Sequence, residues 1–231
     1  MRIMFVPSLI CGNQLNLLDT INATGATGVS TLHLDVMDNH LVRGFGYSVD
    51  LIRQIRSHTD LKLDVHLMAT NVINLVPELF DAGASRIILH VESCDLDRTL
   101  NNILPLHNSI GFAIKPDTPL ILLENYLEYA DCLLVFTVNP GWRGQPIRQD
   151  AIHRVRQSRA ILNANGCDIP LIVDGGVYLD SICSLHESGA TEFVVGSAFY
   201  GHSNNFQELE SNLAKLEAEY RRNASVENIC R

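Results

Sequence analysis

The chain has no dense run of lysine and arginine, no C-x-x-C pair, no low-complexity linker and no apolar stretch of membrane-spanning length. Each absence removes a class of protein. Lysine and arginine total 17 against 26 aspartate and glutamate, a formal net charge of -9, and the short basic pair Arg221-Arg222 stands alone near the C-terminus. A nucleic-acid face needs concentrated positive charge, so no nucleic-acid partner is expected, and any anionic ligand must be held locally. The six cysteines, Cys11, Cys94, Cys132, Cys167, Cys183 and Cys230, are scattered. A chain of this size needs no disulfide framework, so reduced thiols and a cytoplasmic location are expected. The opening MRIMFVPSLI reads as a short apolar strand ending in Pro-Ser and lacks the longer apolar stretch of a signal peptide. A soluble, unprocessed protein with no membrane partner is the expectation.

What is present points to one large core. The chain has 231 residues, 46% of them hydrophobic and 19% charged, which suits a single α/β domain. Apolar segments near 3–8, 29–36, 61–67, 85–91, 110–115, 131–138, 169–174 and 191–196 read as strands, with helix-compatible sequence between most of them. Eight such alternations favour a closed (β/α)8 TIM barrel over an open doubly wound sheet. Asp81-Ala82-Gly83-Ala84 and Glu187-Ser188-Gly189-Ala190 read as the same helix-to-strand joint used twice. From Asn204 to Arg222, Phe206, Leu209, Leu213 and Leu216 recur at helical spacing and would complete the outer ring. The barrel domain is thus placed at 1–222, followed by a frayed tail over 223–231.

Strand parity locates the candidate site. In STLHLDVMD, Leu32, Leu34 and Val36 share one face while Thr31, His33, Asp35 and Met37 share the other. In LKLDVHLM, Leu63, Val65 and Leu67 oppose Asp64, His66 and Met68. If these strands are barrel neighbours, the aliphatic face packs against helices and the His/Asp/Met face points inward near the mouth. Asp174 joins from IPLIVDGG, with Ile172 on the same face. Two imidazoles and two carboxylates from separate strand ends can enclose one divalent metal beside a small substrate.

Three glycine-bearing turns follow strands of the second half: Asn139 to Gln145, Asp174-Gly175-Gly176 and Gly196-Ser197. Backbone amides approach an oxyanion closely where no Cβ intervenes, and barrels often hold phosphate at the loops after strands seven and eight. Clustering beside Asp174 is what distinguishes these glycines from ordinary loop glycines.

In order and spacing, LHLDVMDNH, LDVHLM, FDAGASRIILHVE, Lys115-Pro116-Asp117-Thr118-Pro119, VNPGWRGQ, VDGGV and GSAFY resemble the ribulose-phosphate 3-epimerase family from residue 3 to about residue 200. The resemblance implies a barrel of the ribulose-phosphate-binding type that moves a proton at C3 of a ketose phosphate with one divalent metal, zinc, iron, cobalt or manganese. It implies His33, Asp35, His66 and Asp174 as metal ligands, with Asp35 and Asp174 also the acid/base pair. Inversion at C3 needs a base on one face of a planar 2,3-enediolate and an acid on the other, since one residue alone would return the proton to the face it left. It further implies substrate contacts from Ser8, His66, Met37 and Met68, and phosphate contacts from Gly141, Trp142, Arg143, Gly144, Gly175, Gly176, Gly196 and Ser197. The implied partner is a small phosphorylated ketose, and family members often associate as homo-oligomers.

The chain departs from the family in places. Phe136 stands where methionine is usual, Trp142-Arg143 where phenylalanine and glycine are usual, and Asp38-Asn39-His40-Leu41-Val42-Arg43-Gly44 where the family carries D-G-H-F-V-P-N. Arg143 either adds a charge-assisted phosphate contact or faces solvent. The leading function is therefore interconversion of D-ribulose 5-phosphate and D-xylulose 5-phosphate, with allulose 6-phosphate or another ketose phosphate as the close alternative. A sugar-phosphate-binding regulatory homologue would keep the glycine turns and break the ligand set, and here the set is whole. Decarboxylase and aldolase relatives carry a D-x-K-x-x-D run that is missing here. Plainer readings are that His90 is a hydrogen-bonded core histidine, that Asp64 is a partner of a neighbouring histidine, that Met37 and Met68 are core filler and that Trp142 anchors its loop.

Overall fold

The period-two alternation of the apolar segments does form strands. The computed structural model describes residues 3–103, 109–141, 144–201 and 205–227, the side chains of 223–227 excepted. Eight strands, β1 (Met4–Pro7), β2 (Thr31–Met37), β3 (Lys62–Met68), β4 (Arg86–His90), β5 (Ile110–Ile114), β6 (Cys132–Phe136), β7 (Leu171–Asp174) and β8 (Glu192–Val195), make one sheet in the order β1-β8-β7-β6-β5-β4-β3-β2. Every pairing is parallel. A parallel bridge between Ser8 and His33 closes β1 onto β2. The result is a single (β/α)8 barrel, with strands placed within a residue or two of the sequence reading.

Parity decides which side chain goes where. Leu32, Leu34, Val36, Leu63, Val65 and Leu67 are buried outward. They share a cluster with Ile52 and Ile55 of α2 (Val49–Arg56) and with Val76 and Leu79 of α3 (Leu75–Asp81). Inside, Ile88, Ala113, Cys132, Leu134, Ile172 and Val194 fill the barrel. Toward its lower end Arg86 donates to both oxygens of Asp64, at 2.6 and 2.7 Å, and to Glu192 Oε2 at 2.9 Å. An interior salt cluster of this kind holds together because every charge in it is bonded.

α1 (Leu17–Ala26) follows β1, and α4 (Leu96–Ile103) follows β4. α5 (Ala151–Ala164) and α6 (Ile182–Glu187) follow β6 and β7. Between β5 and β6 the chain makes only 3-10 turns, Leu120–Asn125 and Leu127–Tyr129, opened by Pro119 at the first N-cap. α7 (Ser197–Tyr200) and α8 (Phe206–Glu227) end the fold. Leu209 and Leu216 of α8 are fully covered, whereas Phe206, its first residue, keeps 37% of its surface. The expected apolar stripe therefore packs from its second member onward. The two glycine joints are alike: the Ala84 and Ala190 amides donate to Leu79 and Leu185 carbonyls, and Gly83 and Gly189 sit at φ +101° and +109°. This is a glycine helix terminus of the Schellman kind. No helix among the described residues is long and apolar enough to cross a membrane, and Cys11, Cys94, Cys132, Cys167 and Cys183 form no disulfides with one another.

Candidate active site

Register brings the ionisable residues to one height. His33 pairs with Asp64, and Asp35 with His66, across β2 and β3; Asp174 ends β7 opposite Phe136. His33 Nε2 lies 3.5 Å from Asp35 Oδ1 and 3.7 Å from Asp174 Oδ2. His66 Nδ1 lies 3.7 Å from Asp35 Oδ1 and 3.3 Å from Asp174 Oδ2. One donor atom from each of these residues falls within 4.8 Å of all the others.

Spacing and unmet hydrogen bonds both fit a metal. Ligands roughly 2.0–2.2 Å from a tetrahedral ion stand about 3.3–3.6 Å apart, close to the distances above. Both ring nitrogens of His33 and Nδ1 of His66 are buried without a hydrogen-bond partner among the described residues. Buried polar atoms are normally bonded, so the two of these that face Asp35 and Asp174, His33 Nε2 and His66 Nδ1, mark a position that a cation would complete. The electrostatics agree. Burial disfavours charge on either imidazole, yet Asp35, Asp64 and Asp174 push His33 above the ordinary histidine value, and Asp174 and Asp35 push His66 up. Burial would raise Asp35, but the two imidazoles outweigh it and hold its carboxyl well below the usual range.

Around the four lies a supporting layer. Ser8, directly after β1, donates to Asp35 Oδ2 at 2.9 Å. Asp64 Oδ2 stands 3.9 Å from His33 Nδ1, so it is the neighbour of a histidine that the sequence indicates. Arg86 outweighs burial and keeps the Asp64 carboxyl at about 2. His90 is fully buried and bonded, but its partner is His66: the two Nε2 atoms are 2.9 Å apart, and His90 Nδ1 is 3.0 Å from Glu92 Oε2. Burial, with the charge of His66, pushes His90 down to about 4. Burial would raise Glu92, but the bond from His90, with the Lys115 amide, outweighs it and holds the carboxyl at about 2. Sequence reading missed this pair. The parity that singled out His33 and His66 also turns Arg86, Ile88 and His90 inward, so the facing of His90 was legible while its contact with His66 was not.

Above the four groups a cavity of about 530 Å³ opens to the strand C-terminal ends. Its floor includes Ser8, Asp35 and Asp174, its apolar side Met37, Met68 and Phe136, and its far wall Gly141, Gly144, Gly175, Gly176, Gly196 and Ser197. Met68 and Phe136 also pack with Val42, with Met37 and Leu41 against them. A side chain at Gly175, which sits at φ +101°, would press into Val138. Trp142 and Arg143 lie outside the described residues. The loop after β2, whose run Asp38 to Gly44 departs from the family, contributes Arg43, Gly44 and Phe45 to the cavity. Asp38 fastens that loop, accepting from the His40 and Leu41 amides through Oδ1 and from Thr70 N through Oδ2. Asn39, at φ +61°, accepts from Gly44 N at 2.9 Å.

Comparison with known proteins is consistent with this geometry. Residues 4–200 match the model of the ribulose-phosphate 3 epimerase family. A ribulose-phosphate 3-epimerase of Buchnera aphidicola is 36% identical over 94% of this chain and 96% of its own length. One from Escherichia coli is 33% identical over 94% and 98%, and one from Serratia marcescens 36% over 87% and 96%. Among solved structures, a tryptophan synthase α-subunit from Pyrococcus furiosus superposes with a TM-score of 0.68 at 15% identity, covering 94% of this chain and 100% of that one. The 3-keto-L-gulonate-6-phosphate decarboxylase of Vibrio cholerae gives 0.67 at 14% identity, covering 96% and 98%. These two likenesses speak to the barrel alone. The sequence relatives and the family match say more: the chain belongs to the ribulose-phosphate 3-epimerase family.

Proposed function

We propose that this protein inverts C3 of a ketose phosphate, interconverting D-ribulose 5-phosphate and D-xylulose 5-phosphate. The observation that carries the proposal is the placing of Asp35 and Asp174 on the floor of a cavity walled by glycine turns, in a chain of this family. One aspartate takes the C3 proton, giving a planar 2,3-enediolate, and the other delivers a proton to the opposite face. The roles exchange in the reverse direction. Ser8 holds Asp35 through Oδ2, which keeps that carboxylate aimed. Met37, Met68 and Phe136 shield the intermediate from water with soft apolar surface. The phosphate rests on amides at Gly141, Gly144, Gly175, Gly176, Gly196 and Ser197. His33, Asp35, His66 and Asp174 would hold one divalent ion, zinc, iron, cobalt or manganese, which when bound supplies Lewis-acid stabilisation of the charge developing on the substrate oxygens.

A hexulose phosphate such as allulose 6-phosphate is the second reading. It is favoured by the loop after β2, which departs from the family and places Arg43, Gly44 and Phe45 on the cavity wall. Deuterium uptake at C3, followed by proton NMR in heavy water with added divalent ion, separates the readings when ribulose 5-phosphate, allulose 6-phosphate and fructose 6-phosphate are compared. Fastest exchange with ribulose 5-phosphate is expected. Preference for the allulose ester would establish the second reading, and no exchange with any of them would remove the epimerase proposal.

A further inference from the structure

His90 and Glu92 touch no part of the cavity, yet they connect a fixed backbone donor to the imidazole of His66. The Lys115 amide, just beyond β5, donates to Glu92 Oε1 at 2.8 Å. Glu92 Oε2 is 3.0 Å from His90 Nδ1, and His90 Nε2 is 2.9 Å from His66 Nε2. The two imidazoles lie nearly parallel, 11° apart in plane, and Phe136 packs against both, with ring centroids 5.2 and 5.5 Å away.

With both imidazoles neutral, as a ligating His66 must be, only one arrangement of protons satisfies this chain. A carboxylate accepts and never donates, so His90 must present N–H at Nδ1. Neutral His90 then has its lone pair at Nε2, and the short contact makes His66 the donor at its own Nε2. What remains on neutral His66 is a bare Nδ1, buried without a hydrogen-bond partner among the described residues and standing 3.3 Å from Asp174 and 3.7 Å from Asp35. We infer that Glu92 and His90 are positioning residues, forming a one-way hydrogen-bond relay that fixes the His66 tautomer so that Nδ1 faces the metal position. This inference rests on the metal site proposed above. Partners behind a ligating histidine commonly change metal affinity 10–100-fold when removed.

The relay has a polarity, which Glu92→Gln would reverse with almost no change of shape. The Lys115 N–H still requires the amide oxygen, so the amide NH2 faces His90 Nδ1. His90 must then accept at Nδ1 and carry its proton on Nε2, and His66 must accept at Nε2 and carry its proton on Nδ1. The lone pair that faced the metal is lost. His90→Leu cuts the relay instead, leaving His66 free to take either tautomer.

The test measures zinc binding to the full-length chain by competition with a chelating dye, together with nitrogen-15 NMR of the histidines in the zinc-loaded wild type. The expected result is one zinc per chain, a protonated, hydrogen-bonded Nε2 and zinc-bound Nδ1 on His66, and a zinc dissociation constant raised 10–100-fold in Glu92→Gln and His90→Leu. Far-ultraviolet circular dichroism checks that the variants fold, and if neither does, the wild-type NMR result decides. Zinc bound to His66 through Nε2, or unchanged affinity in folded variants, would overturn the relay while leaving the metal site standing. A wild-type chain that binds no zinc would overturn both.

Discussion

Asp35 and Asp174 reach the same point from β2 and β7, strands separated by β1 and β8 in the barrel order. Their roles predict that Asp174→Asn and Asp35→Asn each lower C3 proton exchange by about 10²–10⁴-fold, the usual loss for a general acid or base. The thermal midpoint of the metal-free chain should move little, which calorimetry in the presence of a chelator would check; ordinary exchange in a folded variant would refute the assignment. Asp64 gives a prediction about stability. Its folded pKa, about 2, lies below its ordinary value because Arg86 outweighs burial. Its contribution is therefore complete above the unfolded pKa and is lost as pH falls from about 4 to about 2, amounting to roughly 2 kcal/mol. Urea titrations across that range should show a shallower acid loss in Asp64→Asn than in the wild type. An identical slope would mean that the Arg86 pair contributes nothing.

Strands and joints were legible because their signals are local. Leu32, Leu34 and Val36 alternate with His33 and Asp35, so burial on the two sides of β2 follows from spacing alone. The paired glycine joints were legible for the same reason. They predict that Gly83→Ala or Gly189→Ala costs about 1–3 kcal/mol, since each glycine has a positive φ and a Cβ would meet the stem of Arg56 or Arg159. Denaturant midpoints should fall without a change in kcat, and an unchanged midpoint would contradict the joint. Long-range facts were not legible. The contact of His90 with His66 depends on the β3–β4 register, and the shape of the loop after β2 depends on Asp38 reaching Thr70 across to the next loop. Proline punctuation marks a break, but it did not show that the β5–β6 connection would be 3-10 turns rather than an α-helix.

Over the whole molecule, the barrel separates stability from chemistry. Outward aliphatic residues surround the barrel and the Asp64–Arg86–Glu192 cluster ties its lower part, while the buried His33 and His66 nitrogens that lack a partner among the described residues sit nearer the mouth. A ligand that completes such a site stabilises the folded chain by mass action, about 2.7 kcal/mol at a hundredfold excess over Kd. Chelation should therefore abolish epimerisation and lower the thermal midpoint together, and a divalent ion should restore both. Full activity in protein verified to be metal-free would contradict the ligand assignment. In the proposed reaction two aspartates, one on each face, handle the C3 proton. The most direct measurement is the isotope at C3 of xylulose 5-phosphate formed in the first turnover of ribulose 5-phosphate in heavy water. Two-residue inversion predicts deuterium at essentially every product C3, whereas product that keeps the substrate's own hydrogen there would contradict it.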